Sequence, residues 1–182
     1  SGYFYEVNAH RLQNENWSEA ALKENIEIGN NKLSINNFRY KLNSPKACIN
    51  VNYDFELSNY VQEFNNEVYF NPHLIKNLDN ELIDVQKRKE DFGENYKYIL
   101  KDNIVLELVN NEKVISIPEN ISLKEDGFSF EITYLHEDKK IEINKVIKIN
   151  HLLLKTTDFD KWNKMVNELS KAYSNVIVFK KN

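Results

Sequence analysis

Ile49-Asn50-Val51-Asn52-Tyr53-Asp54-Phe55-Glu56-Leu57 is the stretch that decides the fold class. Apolar and polar residues alternate without a break over nine positions. Successive side chains on a strand point to opposite faces, so this segment reads as a strand with one apolar and one wet face. Phe128, Phe130, Ile132 and Tyr134 repeat the pattern against Ser129, Glu131 and Thr133. Ile141 and Ile143 start a third run, continued by Ile147 and Ile149 and read as one long strand to about Leu154. On these alternating faces Tyr53, Phe55, Phe128 and Phe130 are expected in the core, as is Trp162.

Shorter β-rich pieces are Leu33–Ile35, Phe38–Leu42, Glu67–Phe70, Tyr96–Leu100, Ile104–Val109, Val114–Ile117 and Val176–Lys180. Turn signals separate them, among them Asn65-Asn66, Asp126-Gly127 and His136-Glu137-Asp138. Short polar connectors favour hairpins over crossovers, so the sheets are expected to be antiparallel. The reading is a mostly β, sandwich-like domain over residues 31–182, preceded by an N-terminal segment or linker over 1–30. Phe159, Trp162, Val166, Leu169 and Tyr173 recur at three- and four-residue steps and predict an amphipathic helix over 158–173. Thr157 or Asp158 is expected to cap it. A weaker, short helix is expected over Trp17–Lys23. The dense mixed charge between Leu74 and Asn95 reads as a solvated connector, with a hinge between two subdomains as the alternative.

Composition narrows the function. The 182 residues carry 24 Lys and Arg against 28 Asp and Glu, a net charge of -4 that disfavours a general nucleic-acid coat. The 28 Asn stand beside only 4 Gly. Asn tolerates left-handed backbone, so it is expected to replace Gly at turns. No apolar run approaches the roughly 20 residues of a membrane span. No secretion leader is legible before Tyr3-Phe4-Tyr5, which leaves the compartment undecided.

Catalytic constellations are not legible. Cys48 is a lone cysteine beside Ala47 and Ile49, with Lys46 two residues away. That is no setting for a thiolate and reads as structural. His10, His73, His136 and His151 show no metal-ligand spacing; His151 falls in a strand run and His73 follows Pro72 in a loop. Asn77, Asp79 and Glu81 alternate as in a calcium loop but lack its glycine and distal glutamate. The four glycines are isolated, so no phosphate-binding loop forms. The expectation is therefore no catalytic residue, no cofactor and no metal.

Several short motifs carry a resemblance. They are Tyr69-Phe70-Asn71-Pro72, Lys87-Arg88-Lys89-Glu90-Asp91-Phe92, the strand Ile104–Val109 leading to Ile115-Ser116-Ile117-Pro118, Phe159-Asp160-Lys161-Trp162, and Ile177-Val178-Phe179-Lys180-Lys181. From about Leu33 to Lys181 the chain resembles the C-terminal domain of unknown function of bacterial transglutaminase-like proteins. In those proteins an N-terminal domain and a papain-like core precede it, and the core holds the catalytic Cys, His and Asp. No segment here matches that core, so no catalytic role passes to Cys48 or to any histidine. The resemblance implies an extracytoplasmic, non-catalytic accessory domain whose partner is a neighbouring domain of the same parent chain. A glycan- or peptide-binding module is the alternative.

Overall fold

The computed structural model describes residues 9–10, 31–108 and 113–181. The short helix expected over Trp17–Lys23 lies outside them. The chain divides into two compact units, Ser1–Tyr60 and Val61–Asn182. The boundary between the units falls after the first hairpin. The reason is pairing: β1 (Lys32–Asn43) and β2 (Cys48–Ser58) form a two-stranded sheet with each other and join no other sheet among the described residues.

In β1 the two pieces read from sequence are one strand interrupted by a bulge. Ile35 faces Phe55, Arg39 faces Asn52, and the register shifts between them. Asn37 sits in that shift with φ 53°. An extra residue in one strand would flip every later side chain, so the bulge resets the alternation. It keeps Phe38, Tyr40 and Leu42 in phase with Leu33 and Ile35.

The second unit holds β3 (Gln62–Phe64), β4 (Glu67–Phe70), β5 (Phe92–Gly93), β6 (Tyr98–Glu107), β7 (Lys113–Ser116), β8 (Ile121–Glu125), β9 (Phe128–Glu137), β10 (Lys140–Ile149) and β11 (Leu153–Leu154). The helix α1 (Phe159–Ala172) and β12 (Ile177–Lys180) complete it. Two four-stranded antiparallel sheets have the orders β6-β10-β9-β8 and β3-β4-β12-β7, and β11 pairs with β5 in a small third sheet. The fold is mostly β, antiparallel and sandwich-like, with one C-terminal helix, as the alternation implies.

Both four-stranded sheets and α1 contribute to one core. Phe128, Phe130 and Ile132 come from β9, Ile141, Ile143, Ile147 and Ile149 from β10, and Ile177 and Phe179 from β12. Phe159, Trp162, Met165, Val166 and Leu169 are the buried stripe of α1. Each fully buried side chain of this size contributes roughly 1.5–3 kcal/mol relative to exposure.

Three local expectations need correction. The long run does not continue as one strand to Leu154: β10 ends at Ile149, and the Asn150 N–H donates to Gly127 O at 2.7 Å. The chain then leaves the sheet, and Leu153–Leu154 pairs with Phe92–Gly93 instead. His151 therefore sits in a loop. Neither Thr157 nor Asp158 caps α1 with its side chain; the Asp158 carboxylate accepts from Lys161 Nζ at 2.8 Å, one turn along. Tyr53 and Phe55 are not core residues, because β2 carries no fully buried position.

The segment between β4 and β5 is pinned, not loosely solvated. Ile83 N–H donates to Asn163 Oδ1 at 2.7 Å, and Asn163 Nδ2 donates back to Ile83 O at 2.8 Å. Trp162 Nε1 donates to Glu81 O at 2.9 Å and Tyr173 Oη to Asn77 O at 2.9 Å. Backbone groups without a ladder partner must find one elsewhere, and here α1 supplies it. The segment is a strap across the helix.

Candidate functional site

The residues weighed for chemistry are dispersed. Cys48 is half-buried at the start of β2, and its Sγ lies 3.8 Å from Asn50 Oδ1. His10 is exposed. His136 is exposed, with Nε2 3.1 Å from Asp138 O. Asn77, Asp79 and Glu81 lie on the strap, where Asn77 and Glu81 offer backbone carbonyls to α1. Among the described residues no group of three or more His, Cys, Asp and Glu side chains could hold a metal ion. No helix among them is long and apolar enough to cross a membrane.

His151 packs edge-on against Phe128 and Trp162, at centroid distances of 5.9 and 6.1 Å. Its Nδ1 lies 3.1 Å from Gly127 O. A carbonyl only accepts, so Nδ1 donates in this contact, and the buried Nε2 has no hydrogen-bond partner.

One polar cluster was missed in the sequence. Lys145 stands on the buried face of β10 between Ile143 and Ile147, and is 2% exposed. Asp102, its direct cross-strand partner on β6, holds Nζ at 2.6 Å. Nζ also donates to Ile75 O at 2.8 Å and lies 4.9 Å from the Tyr173 ring centroid. A buried ammonium is tolerated only when paired and hydrogen-bonded, and all its surroundings here serve that need. The sequence signal was present: period two puts Lys145 among the isoleucines.

His73 completes the cluster. It is 1% exposed, tilted against Tyr173 at 5.3 Å, with Nε2 2.9 Å from Tyr134 Oη. Nδ1 is buried without a partner. Burial, then the positive charges of Lys145 and Lys76, push His73 down to about 4, against a smaller opposing effect of Asp102. Burial alone pushes Tyr134 up to about 12. Near neutrality the cluster is a neutral imidazole, two neutral phenols and one ion pair. Its charges are satisfied internally, and it locks the strap and α1 onto the sheet.

A different surface is left unsatisfied. Along the apolar side of the hairpin, Phe38 stacks on Tyr53 at 6.3 Å and 20°. Phe38 meets Tyr40 at 6.5 Å and Tyr53 meets Phe55 at 6.0 Å. Tyr40, Val51 and Phe55 are 44%, 42% and 40% exposed. Their alternating neighbours are polar: Arg39, Lys41, Asn50, Asn52, Asp54 and Glu56. Two-stranded hairpins are marginally stable alone, and contiguous exposed aromatics mark contact surfaces.

Searches among curated proteins and among solved structures found no match. The model of a domain of unknown function with solved-structure structure (DUF3858) matches residues 66–179. The match begins at the β3–β4 turn and leaves the hairpin outside. It takes in the β6-β10-β9-β8 sheet, the strap, α1 and most of β12, with the Lys145 cluster inside it. Because it spans more than half of the chain, this protein belongs to the DUF3858 domain family.

Proposed function

We propose that this chain is a non-catalytic accessory module of a larger bacterial transglutaminase-like protein, acting outside the cytoplasm. It docks on a neighbouring domain of that protein through the aromatic face of the β1–β2 hairpin. The observation that carries the reading is the aromatic row of exposed Tyr40 and Phe55 with half-buried Phe38 and Tyr53, on a two-stranded sheet with no second layer among the described strands. The resemblance of residues 33–181 to the terminal domain of such proteins supports the choice of partner. The dispersal of Cys48, His10, His136 and His151 supports a non-catalytic role.

The test separates the chain from the rest of its parent polypeptide and co-expresses the two pieces. They should elute together in size-exclusion chromatography. Tyr40→Ser/Phe55→Ser should weaken the association at least roughly tenfold, because desolvated aromatics dominate interface energies. Both side chains are partly exposed, so the variant should keep the wild-type melting temperature within a few degrees. Pieces that never associate, or a complex indifferent to the double variant, would overturn the reading.

A further inference from the structure

β6 is the outermost strand of the β6-β10-β9-β8 sheet, and among the described residues nothing pairs with its other side. It runs ten residues, and its ladder to β10 carries no register shift. The edge strands of the other four-stranded sheet are short, three residues in β3 and four in β7, and β8 at the far edge has five. Proteins commonly blunt a long edge with a proline or a bulge. β6 has neither.

The ladder fixes which backbone groups face outward. The Leu108 N–H donates to Lys139 O at 2.8 Å. In an antiparallel pair, residues that exchange bonds alternate with residues that do not. Leu100, Asp102, Ile104 and Leu106 therefore bond to β10, while Ile99, Lys101, Asn103, Val105 and Glu107 turn N–H and C=O to the open edge. Among the described residues these outward groups have no hydrogen-bond partner. The side chains beside them are on the outer face, with Ile99 57% and Val105 51% exposed. On the inner face Leu100, Ile104 and Leu106 reach the core but stay half-buried, because no described strand continues the sheet beyond them.

The strand's own sequence selects what covers this edge. A second, antiparallel β6 must set outward-facing residues opposite one another. Twofold axes at Asp102, Asn103 or Ile104 meet that condition and keep most of the strand paired. An axis at Asp102 puts two carboxylates face to face. An axis at Asn103 puts Ile99 against Glu107 and Lys101 against Val105. An axis at Ile104 puts Lys101 against Glu107 of the second copy, twice by symmetry. It also sets Ile104 against its own copy and Leu100 against Leu108, while Asp102 faces Leu106 and keeps Lys145 as its partner. Opposite charges across a pair stabilise it and like charges destabilise it. Glu107 Oε1 meets Lys140 Nζ at 3.0 Å in an exposed contact, and a carboxylate has a second oxygen to accept with.

We infer that two copies of this chain pair through β6, antiparallel about a twofold axis at Ile104, and join their four-stranded sheets into one continuous sheet. The inference goes beyond the docking reading and uses no residue of the hairpin.

The experiment is sedimentation equilibrium of the full chain. It should dimerise reversibly with a Kd of about 10–100 µM, as befits a small interface. Lys101→Glu sets carboxylates opposite each other in both symmetric pairs and should weaken the dimer roughly tenfold, as should Glu107→Lys. The double variant Lys101→Glu/Glu107→Lys exchanges the charges and should restore the wild-type Kd. Both positions are exposed, so the melting temperature should stay near that of wild type. Tyr40→Ser/Phe55→Ser should leave this dimer intact, which separates it from association through the hairpin. A chain still monomeric at about 500 µM would overturn the inference. So would a dimer indifferent to Lys101→Glu, a double variant that fails to restore it, or a dimer lost in the hairpin variant.

Discussion

Lys145 and His73 show how a side chain's meaning depends on the face it occupies. Lys145 falls on the isoleucine face of β10 and survives there because Asp102 and Ile75 O satisfy it. His73 gave no such signal, since Pro72-His73 reads as loop and its burial depends on Tyr134 and Tyr173, 61 and 100 residues away in sequence. A pH dependence follows. The unfolded chain protonates His73 below about 6.5, whereas the folded one resists until about 4. Stability is therefore complete above the unfolded value and falls as pH drops towards 4, by about 3 kcal/mol for this group. Urea unfolding at pH 7 and at pH 4.5 should show the loss, and His73→Gln should flatten it while retaining a partner for Tyr134. An unchanged slope in that variant would show that His73 is not the group responsible. Asparagine behaves as its abundance implied: among the described non-glycine residues with positive φ, Asn37, Asn59, Asn65, Asn66 and Asn80 are five of eight.

At the scale of elements, alternation located the strands well because period two is a property of the strand itself. Hence β9, β10, β2 and the amphipathic α1 were legible. The short β3, β5 and β11 were not, since pieces of two or three residues carry no period and exist only through their partners. The strap was misread for a related reason. Its charged residues do face solvent, as at Lys87 and Glu90, but its order comes from backbone groups bonded to Asn163, Trp162 and Tyr173. Sequence composition is blind to such bonds. Asn163→Ala removes both partners of Ile83 and should cost about 1–3 kcal/mol. It should also speed tryptic cutting at Lys87, Arg88 and Lys89 severalfold, by local opening of the strap. Cutting as slow as in wild type would mean that other contacts alone hold the segment.

At the scale of the whole chain, the two units use the same alternation for opposite ends. In Val61–Asn182 the apolar faces meet one another and α1, and the core closes. In the hairpin the aromatic face stays partly exposed, which sequence cannot foresee, because alternation shows that a face is apolar but not what covers it. The account rests on the hairpin face lacking a permanent cover among the described residues. Amide hydrogen exchange measures this directly. In the purified chain the paired amides of β1 and β2 should exchange about a hundredfold faster than those of β10, and slow markedly once the rest of the parent polypeptide is added. Hairpin amides as protected in the chain alone as those of β10 would contradict it.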